Sequence, residues 1–329
     1  MTQRLAWRAP AGWWPSARLA LGTASALGLA RFAYGLLVPA MRTELHWSLA
    51  QAGALTTANG LGYLLGAVAT APVARRLGVP GTFRLGMVLT AAALAATAVT
   101  GGNYPVLLLT RAAAGFTGAL VFIAGGVIAS RAAIMDLRSV ARLWPVAVAY
   151  LLFAAGYIAY ITFLSAYLAA HHASVTQVAL TWALLGLAAI AAPALWSRPI
   201  HTWPGGKALA LSLAVLSAAA AVALLSAAPT VVTGSAIGYG ATFLSVPAAI
   251  TTLVRKAIPP RDLTGALAAF TVVFAAGQTA GPYLAGGLAD HYGTGATLAW
   301  TAALCITGAA LSLVIRSATL RPAGPPAPI

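Results

Sequence analysis

Acidic side chains are nearly absent from this chain. There are four Asp and Glu among 329 residues, and charged residues of both signs make up only 7%. Soluble domains carry about 25% charged residues, so a water-soluble globular fold is excluded. Glu44, Asp136, Asp262 and Asp290 fall at the ends of apolar runs or between them, as do His46, His171, His172, His201 and His291. No carboxylate or imidazole is thus placed at depth to relay protons. A phosphate-cradling glycine loop, clustered metal ligands and a nucleophile–base pair are missing too, so no enzyme, cofactor or metal site is expected. The single cysteine, Cys305, excludes an intrachain disulfide and reads as a packing residue within an apolar run.

What remains is apolar. Hydrophobic residues make up 60% of the chain and the mean hydropathy is +0.88. Apolar runs recur along its whole length, which predicts an all-α polytopic membrane protein. About 20 helical residues cross a bilayer core of about 30 Å. On that measure ten spans are expected, near 18–41, 48–73, 84–100, 104–130, 145–168, 177–197, 207–226, 229–254, 263–288 and 295–316. The apolar run around Arg31 is too long for a cleaved signal, so the first span is read as retained, with Trp13 and Trp14 at the headgroups. Pro193, Pro247 and Pro282 are expected to kink their spans.

A net charge of +15 would suggest nucleic acid in a soluble protein; here its distribution reports topology. Of the 19 basic residues, all but Arg31, Arg42 and Arg111 fall on the side of the N-terminus once ten spans are drawn. The positive-inside rule then puts both termini in the cytoplasm. The organisation that follows is a cytoplasmic segment 1–17, a four-span bundle 18–132, a cytoplasmic linker 133–144, a six-span bundle 145–318 and a proline-rich tail 319–329.

An internal repeat runs through the spans. A shift of 126 residues brings Phe32-Ala33-Tyr34 onto Ile158-Ala159-Tyr160, Ser48 onto Ser174, Gln51 onto Gln177 and Gly60 onto Gly186. A shift of 123 puts Gly115-Phe116 on Gly238-Tyr239. The units start four spans apart and so share one orientation, a known transporter design.

LARFAYGLLVPAM, residues 29–41, with WSLAQAGALTTANGLGYLLGA after it, resembles the opening of a bacterial, sugar-efflux-like branch of the major facilitator superfamily. Three further places are similar to that superfamily: Arg111 to Gly118 to its fourth helix, Ala74 to Gly78 to its second loop, and Gly281-Pro282 with Ala289-Asp290 to its eleventh helix. The loop departs in carrying Arg75 where the family has an acid. The resemblance implies a secondary transporter in a bacterial inner membrane, moving a small solute by alternating access. It also implies twelve helices, whereas the repeat here restarts after four. The chain is therefore read as four plus six, without the family's fifth and sixth helices.

In the family, the first, fourth, seventh and tenth helices line the cavity. Carried onto this chain, the substrate-binding candidates are Arg31, Tyr34, Arg111, Tyr157, Tyr160 and Tyr239, with Asn59, Tyr63 and Gln278 beside them. Tyr150, Thr162, Thr242 and Ser245 are on the same helices. A guanidinium fork suits a carboxylate or phosphate, and tyrosines stack and hydrogen-bond, so an anionic or polyhydroxylated metabolite is expected. Arg31 falls near mid-depth, where a cation costs at least about 2.5–3.5 kcal/mol. Arg111 is nearer the outer end, where snorkelling is expected to suffice. The lack of a carboxylate at depth favours uniport or exchange over proton symport. The plainer readings are a structural cation–π site at Arg31, packing for the tyrosines and close helix contacts for Gly115 and Gly118.

Two other functions compete. A transport-inactive relic or membrane scaffold would follow from the loss of two helices. A ten-helix drug/metabolite carrier would show five-plus-five inverted repeats. Expected partners are the bilayer, a small-molecule substrate and, beside the sixth span, either spans three and four closing in or a second protomer over the vacant seam. The charge sorting predicts that cysteines placed at His172 and near Ile329, with Cys305 replaced, label oppositely with an impermeant maleimide. Equal labelling in intact cells would overturn the ten-span topology.

Overall fold

The computed structural model describes residues 33–100, 102–127, 141–260 and 262–315. The segment 1–17, Arg31 with most of the first expected span, most of the linker and the tail 319–329 lie outside them. The helices are α1 (Tyr34–Leu45), α2 (Leu49–Val99), α3 (Tyr104–Val127), α4 (Trp144–Ala170), α5 (Val175–Thr202), α6 (Lys207–Leu225), α7 (Pro229–Phe243), α8 (Ser245–Ala257), α9 (Leu263–Tyr292) and α10 (Gly295–Leu313). Among the described residues there is no strand, and eight helical segments are long and apolar enough to cross a membrane, with Pro229–Ala257 counting as one.

The 51-residue α2 departs from the expected pair of spans joined by a loop. The loop contracts to Gly78, at φ 70° and ψ 164°, a region open essentially to glycine alone. On the first limb, Asn59, Gly62 and Gly66 meet α3 at Arg111, Ala112 and Phe116, so contacts advance together along both helices. On the second limb, Gly86 meets Leu120 and Val121 while Thr90 bonds Thr117, so they run oppositely. The chain therefore reverses at Gly78, and the two limbs stand where the second and third spans were expected. Arg75 and Arg76 are exposed at that turn.

Proline acts unevenly. Pro247 has no N–H for the carbonyl four residues back, and the helix is interrupted at Leu244 between α7 and α8. The assigned helices α5 and α9 run uninterrupted through Pro193 and Pro282.

The repeat has a structural counterpart. Ser48 and Ser174 are both N-caps, accepting from the backbone N–H of Gln51 and Gln177 at 3.1 and 3.2 Å; such a cap satisfies a helix-start donor. Register on the later helices differs by two residues from the sequence alignment. Gly115 lies on Asn59 and Gly240 lies on Leu185, the repeat mate of Asn59. Gly240, rather than Gly238, therefore stands where Gly115 stands.

Helix α4 is buried on nearly all sides, touching α1, α8, α9 and α10. Helix α5 packs on α7 and α8 and leaves Val175, Leu187 and Ile190 more than 60% exposed. It has no appreciable packing against α2 or α3, so the expected closure of the fifth and sixth spans onto the third and fourth is absent among the described residues. A Cβ on Gly60 would meet Thr279 at 3.0 Å, whereas one on Gly186 would meet nothing within 4 Å. Gly186→Ala should therefore be neutral or stabilising by about 0.5–1 kcal/mol through helix propensity. Gly115→Ala, whose Cβ would fall 1.9 Å from the Asn59 carbonyl oxygen, should be strongly destabilising. Thermal unfolding in detergent compares the two, and equal effects would refute the difference in packing.

Candidate substrate site

Helix α1, the first limb of α2 and helix α3 assemble the first polar group. Gly62 and Gly115 let the two backbones approach so closely that Asn59 Nδ2 donates to the Arg111 carbonyl at 3.1 Å. The Arg111 side chain is 3% exposed, and its Cζ lies 4.7 Å from the centroid of the Tyr34 ring. The expected snorkelling is thus overturned: the guanidinium is held inside by a cation–π contact rather than reaching the interface. Among the described residues Arg111 is the one charged side chain that is buried. Tyr34 is fixed in turn by donating to the Ala52 carbonyl at 2.9 Å. Tyr63, one turn beyond Asn59, is buried and tilted against Phe122. Arg31 lies outside the described residues.

The second group is an aromatic platform on α4, α7 and α9. Tyr157 is stacked with Phe153, Phe274 and Phe243, at centroid distances of 4.9, 5.7 and 6.3 Å. Tyr150 continues the stack onto Phe274 at 4.8 Å. Gln278 Nε2 donates to the Tyr157 hydroxyl. Tyr160 and Tyr239 lie face to face at 3.8 Å and are fully buried. Their hydroxyls are taken by Ser235 Oγ at 2.9 Å and by the Tyr157 carbonyl at 3.1 Å. Gly35, whose Cβ would fall 2.4 Å from the Ile161 carbonyl oxygen, seats α1 on α4 between the groups. Thr162 and Thr56 face each other there, oxygens 3.5 Å apart.

The first limb of α2 also closes on α9. Gly53 and Gly286 let it approach the carbonyls of Pro282 and Leu49, and at the end Asp290 accepts from the backbone N–H groups of Leu49 and Ala50 at 2.6 and 2.8 Å. This carboxylate caps a helix some 240 residues earlier in the chain. Sequence reading assigned it no role beyond a span end, since local pattern cannot see a cap supplied by another helix. The phenylalanines of the platform were missed because Phe reads as packing. Hydrogen bonds and the cation–π contact thus join six candidates into two groups, Tyr34–Asn59–Arg111 and Tyr157–Gln278–Tyr239, with Tyr160 stacked on Tyr239.

The sequence matches, over residues 23–142 and 130–317, the family described as "Uncharacterised MFS-type transporter YbfB". The chain belongs to this family of major facilitator superfamily transporters. Among solved structures, the nucleoside transporter NupG in its D323A mutant form superposes with a TM-score of 0.67 at 13% identity, covering 90% of this chain and 99% of that one. A second structure of NupG gives 0.64 at 12% identity, covering 92% and 98%. At these identities the likeness shows the fold. No curated protein matches the sequence significantly. The sequence resemblance to the superfamily and the multi-pass membrane character therefore hold, and the neighbours are transporters rather than enzymes.

The carboxylate cap has a measurable weight. Asp290→Ala should destabilise the protein by about 0.5–2 kcal/mol, since it removes a cap from the Leu49 and Ala50 N–H groups at a partly exposed helix start. Glu44→Ala, at an exposed site, should leave the thermal midpoint unchanged. Equal shifts would mean that the cap does not hold the seam.

Proposed function

We propose that this transporter moves a small anionic or polyhydroxylated metabolite by alternating access, as a uniporter or exchanger, with Arg111 as the anion-binding group. The observation that carries the reading is the burial of the Arg111 guanidinium against Tyr34, inside a membrane-spanning bundle. An ionisable side chain at such a place is expensive and marks a solute pathway by default. Its planar fork suits a carboxylate or phosphate. Tyr34, Asn59, Tyr63, Tyr157 and Gln278 supply the remaining polar contacts, while Tyr160 and Tyr239 brace the platform. Arg31, three residues before Tyr34 in the sequence, belongs to the proposed set by sequence.

The proposed architecture is ten spans with both termini in the cytoplasm of a bacterial cell, bundles at 18–132 and 145–318, and the family's fifth and sixth helices missing. The two family matches meet at 130–142, the place where that pair would stand. Alternating access is supported by the α2–α9 seam. It is zipped at the Ser48 and Asp290 end, with its last close glycine contact at Gly60 and Thr279. Toward Gly78 the glycines Gly62 and Gly66 of α2 meet α3 instead, and the proposed state is closed at the Ser48 and Asp290 end.

A nucleoside is the second reading, favoured by the aromatic platform of Tyr150, Phe153, Tyr157 and Phe274 and by the likeness to two nucleoside transporter structures. Thermal shift with panels of carboxylates, phosphate esters, sugars and nucleosides separates the readings, because a ligand stabilises by RT ln(1 + [L]/Kd). The expected result is stabilisation by an anion, weakened about tenfold or more in affinity by Arg111→Lys and further by Arg111→Gln. A nucleoside that stabilises both variants equally would favour the second reading. No ligand and no uptake into proteoliposomes would leave the inactive relic.

A further inference from the structure

A cleft of about 220 Å³ opens between α5 and the α7–α8 junction. It is smaller than the roughly 300–1,000 Å³ of pockets that enclose compact metabolites. Its walls are two stripes at helical spacing. One carries Pro193, Trp196, Ile200 and His201 on α5, and the other carries Leu244, Ala248 and Thr252 on the facing pair. The lining is largely apolar, and the Trp196 indole is tied to the Ala241 carbonyl at 2.9 Å. The cleft ends in charge. Lys256 continues the Leu244, Ala248, Thr252 stripe by one more turn, and its Nζ donates to the His201 carbonyl at 3.2 Å across the mouth. Arg198 and Arg255, on the adjoining positions, are exposed, as are Lys256 and His201.

We infer that this cleft holds one acyl chain of an anionic phospholipid, with the phosphodiester headgroup at Lys256 and His201. Three observations select that occupant over others. The groove is narrow and apolar, which suits a chain rather than a ring. It lies on α5, the least covered of the described spans, so it is entered from the bilayer. Its polar end is cationic, and basic pockets between membrane helices recognise anionic headgroups. The carbonyls at the α5 and α8 C-termini would favour a cation there, but the basic side chains already neutralise them, and Lys256 occupies one directly. The site lies apart from the Arg111 group and does not depend on the substrate.

Native mass spectrometry of the full-length protein, with equal concentrations of dioleoyl phosphatidylglycerol or dioleoyl phosphatidylcholine added, tests the assignment. A first phosphatidylglycerol should bind at least about fivefold more tightly than phosphatidylcholine, and Lys256→Gln should remove about fivefold of its affinity. Ala248→Phe, which fills the groove from an exposed position, should abolish the preference for the first lipid with the headgroup cations intact. Equal binding of the two lipids, or unchanged phosphatidylglycerol binding in both variants, would overturn the site. So would a stable dimer that shields Ala248 from maleimide as a cysteine variant, because a second copy would then be the occupant.

Discussion

Helices in a membrane gain nothing by hiding leucine from lipid, because lipid tails are equally apolar; they associate where their backbones can touch. In this bundle the touching points are glycines. Gly62 and Gly66 seat α2 on α3, Gly115 returns the contact, Gly35 seats α1 on α4, Gly277 and Gly281 seat α9 on α4, and Gly53 with Gly286 seats α2 on α9. At each of these a Cβ would fall within 2.5 Å of a carbonyl oxygen. Were any of these contacts to spread, the polar groups they position would separate as well. The Asn59 amide reaches a carbonyl on α3 only because Gly62 and Gly115 bring the two helices so close.

The polar interior depends on this geometry, since buried donors and cations need partners at fixed places. The internal repeat gives the same solution twice, with different chemistry. Tyr34 and Tyr160 are repeat mates, and each has one ring face covered from the fourth helix of its unit. Arg111 covers Tyr34, whereas Tyr239 covers Tyr160. The first arrangement keeps a cation inside the bundle; the second is a neutral stack whose hydroxyls are spent on protein. A duplicated scaffold has thus become one half polar and one half aromatic. The charged candidate accordingly belongs to the first unit, and the tyrosines of the flat platform belong to the second.

Much of this was legible in the sequence. Charge sorting and apolar length located the helices from residue 48 onward, and the Ser48 and Ser174 pair announced two equivalent helix starts. The loop at Gly78 was overdrawn because a glycine in a region closed to other residues reverses the chain within one position. Gly238 was chosen over Gly240 because two nearby glycines are equivalent to an alignment and differ only in which one meets Leu185. Arg111 was expected to snorkel from its depth alone. It is instead buried, with the ring of Tyr34 from another helix against its guanidinium, a contact that no local pattern encodes. Asp290 was set aside for the same reason.

The contrast between Gly60 and Gly186 then bears on how the bundle is covered. The two glycines occupy the same place in the repeat, and the first is matched by Thr279 on α9 while the second faces open space. A glycine without a neighbour is a poor choice for a helix that has always faced lipid, because alanine would serve the helix better. It is understandable where a helix once crossed at that point, which fits the proposed loss of the fifth and sixth helices. Lipid can cover the apolar side of α5 without an energetic penalty. Among the described residues the Tyr34–Asn59–Arg111 group lies on α1, α2 and α3, away from α5, and the α2–α9 seam is closed by backbone contact and by Asp290. On that proposal the side of α5 left uncovered is chiefly apolar, as Val175, Leu187 and Ile190 are, which would let the rest of the bundle stand.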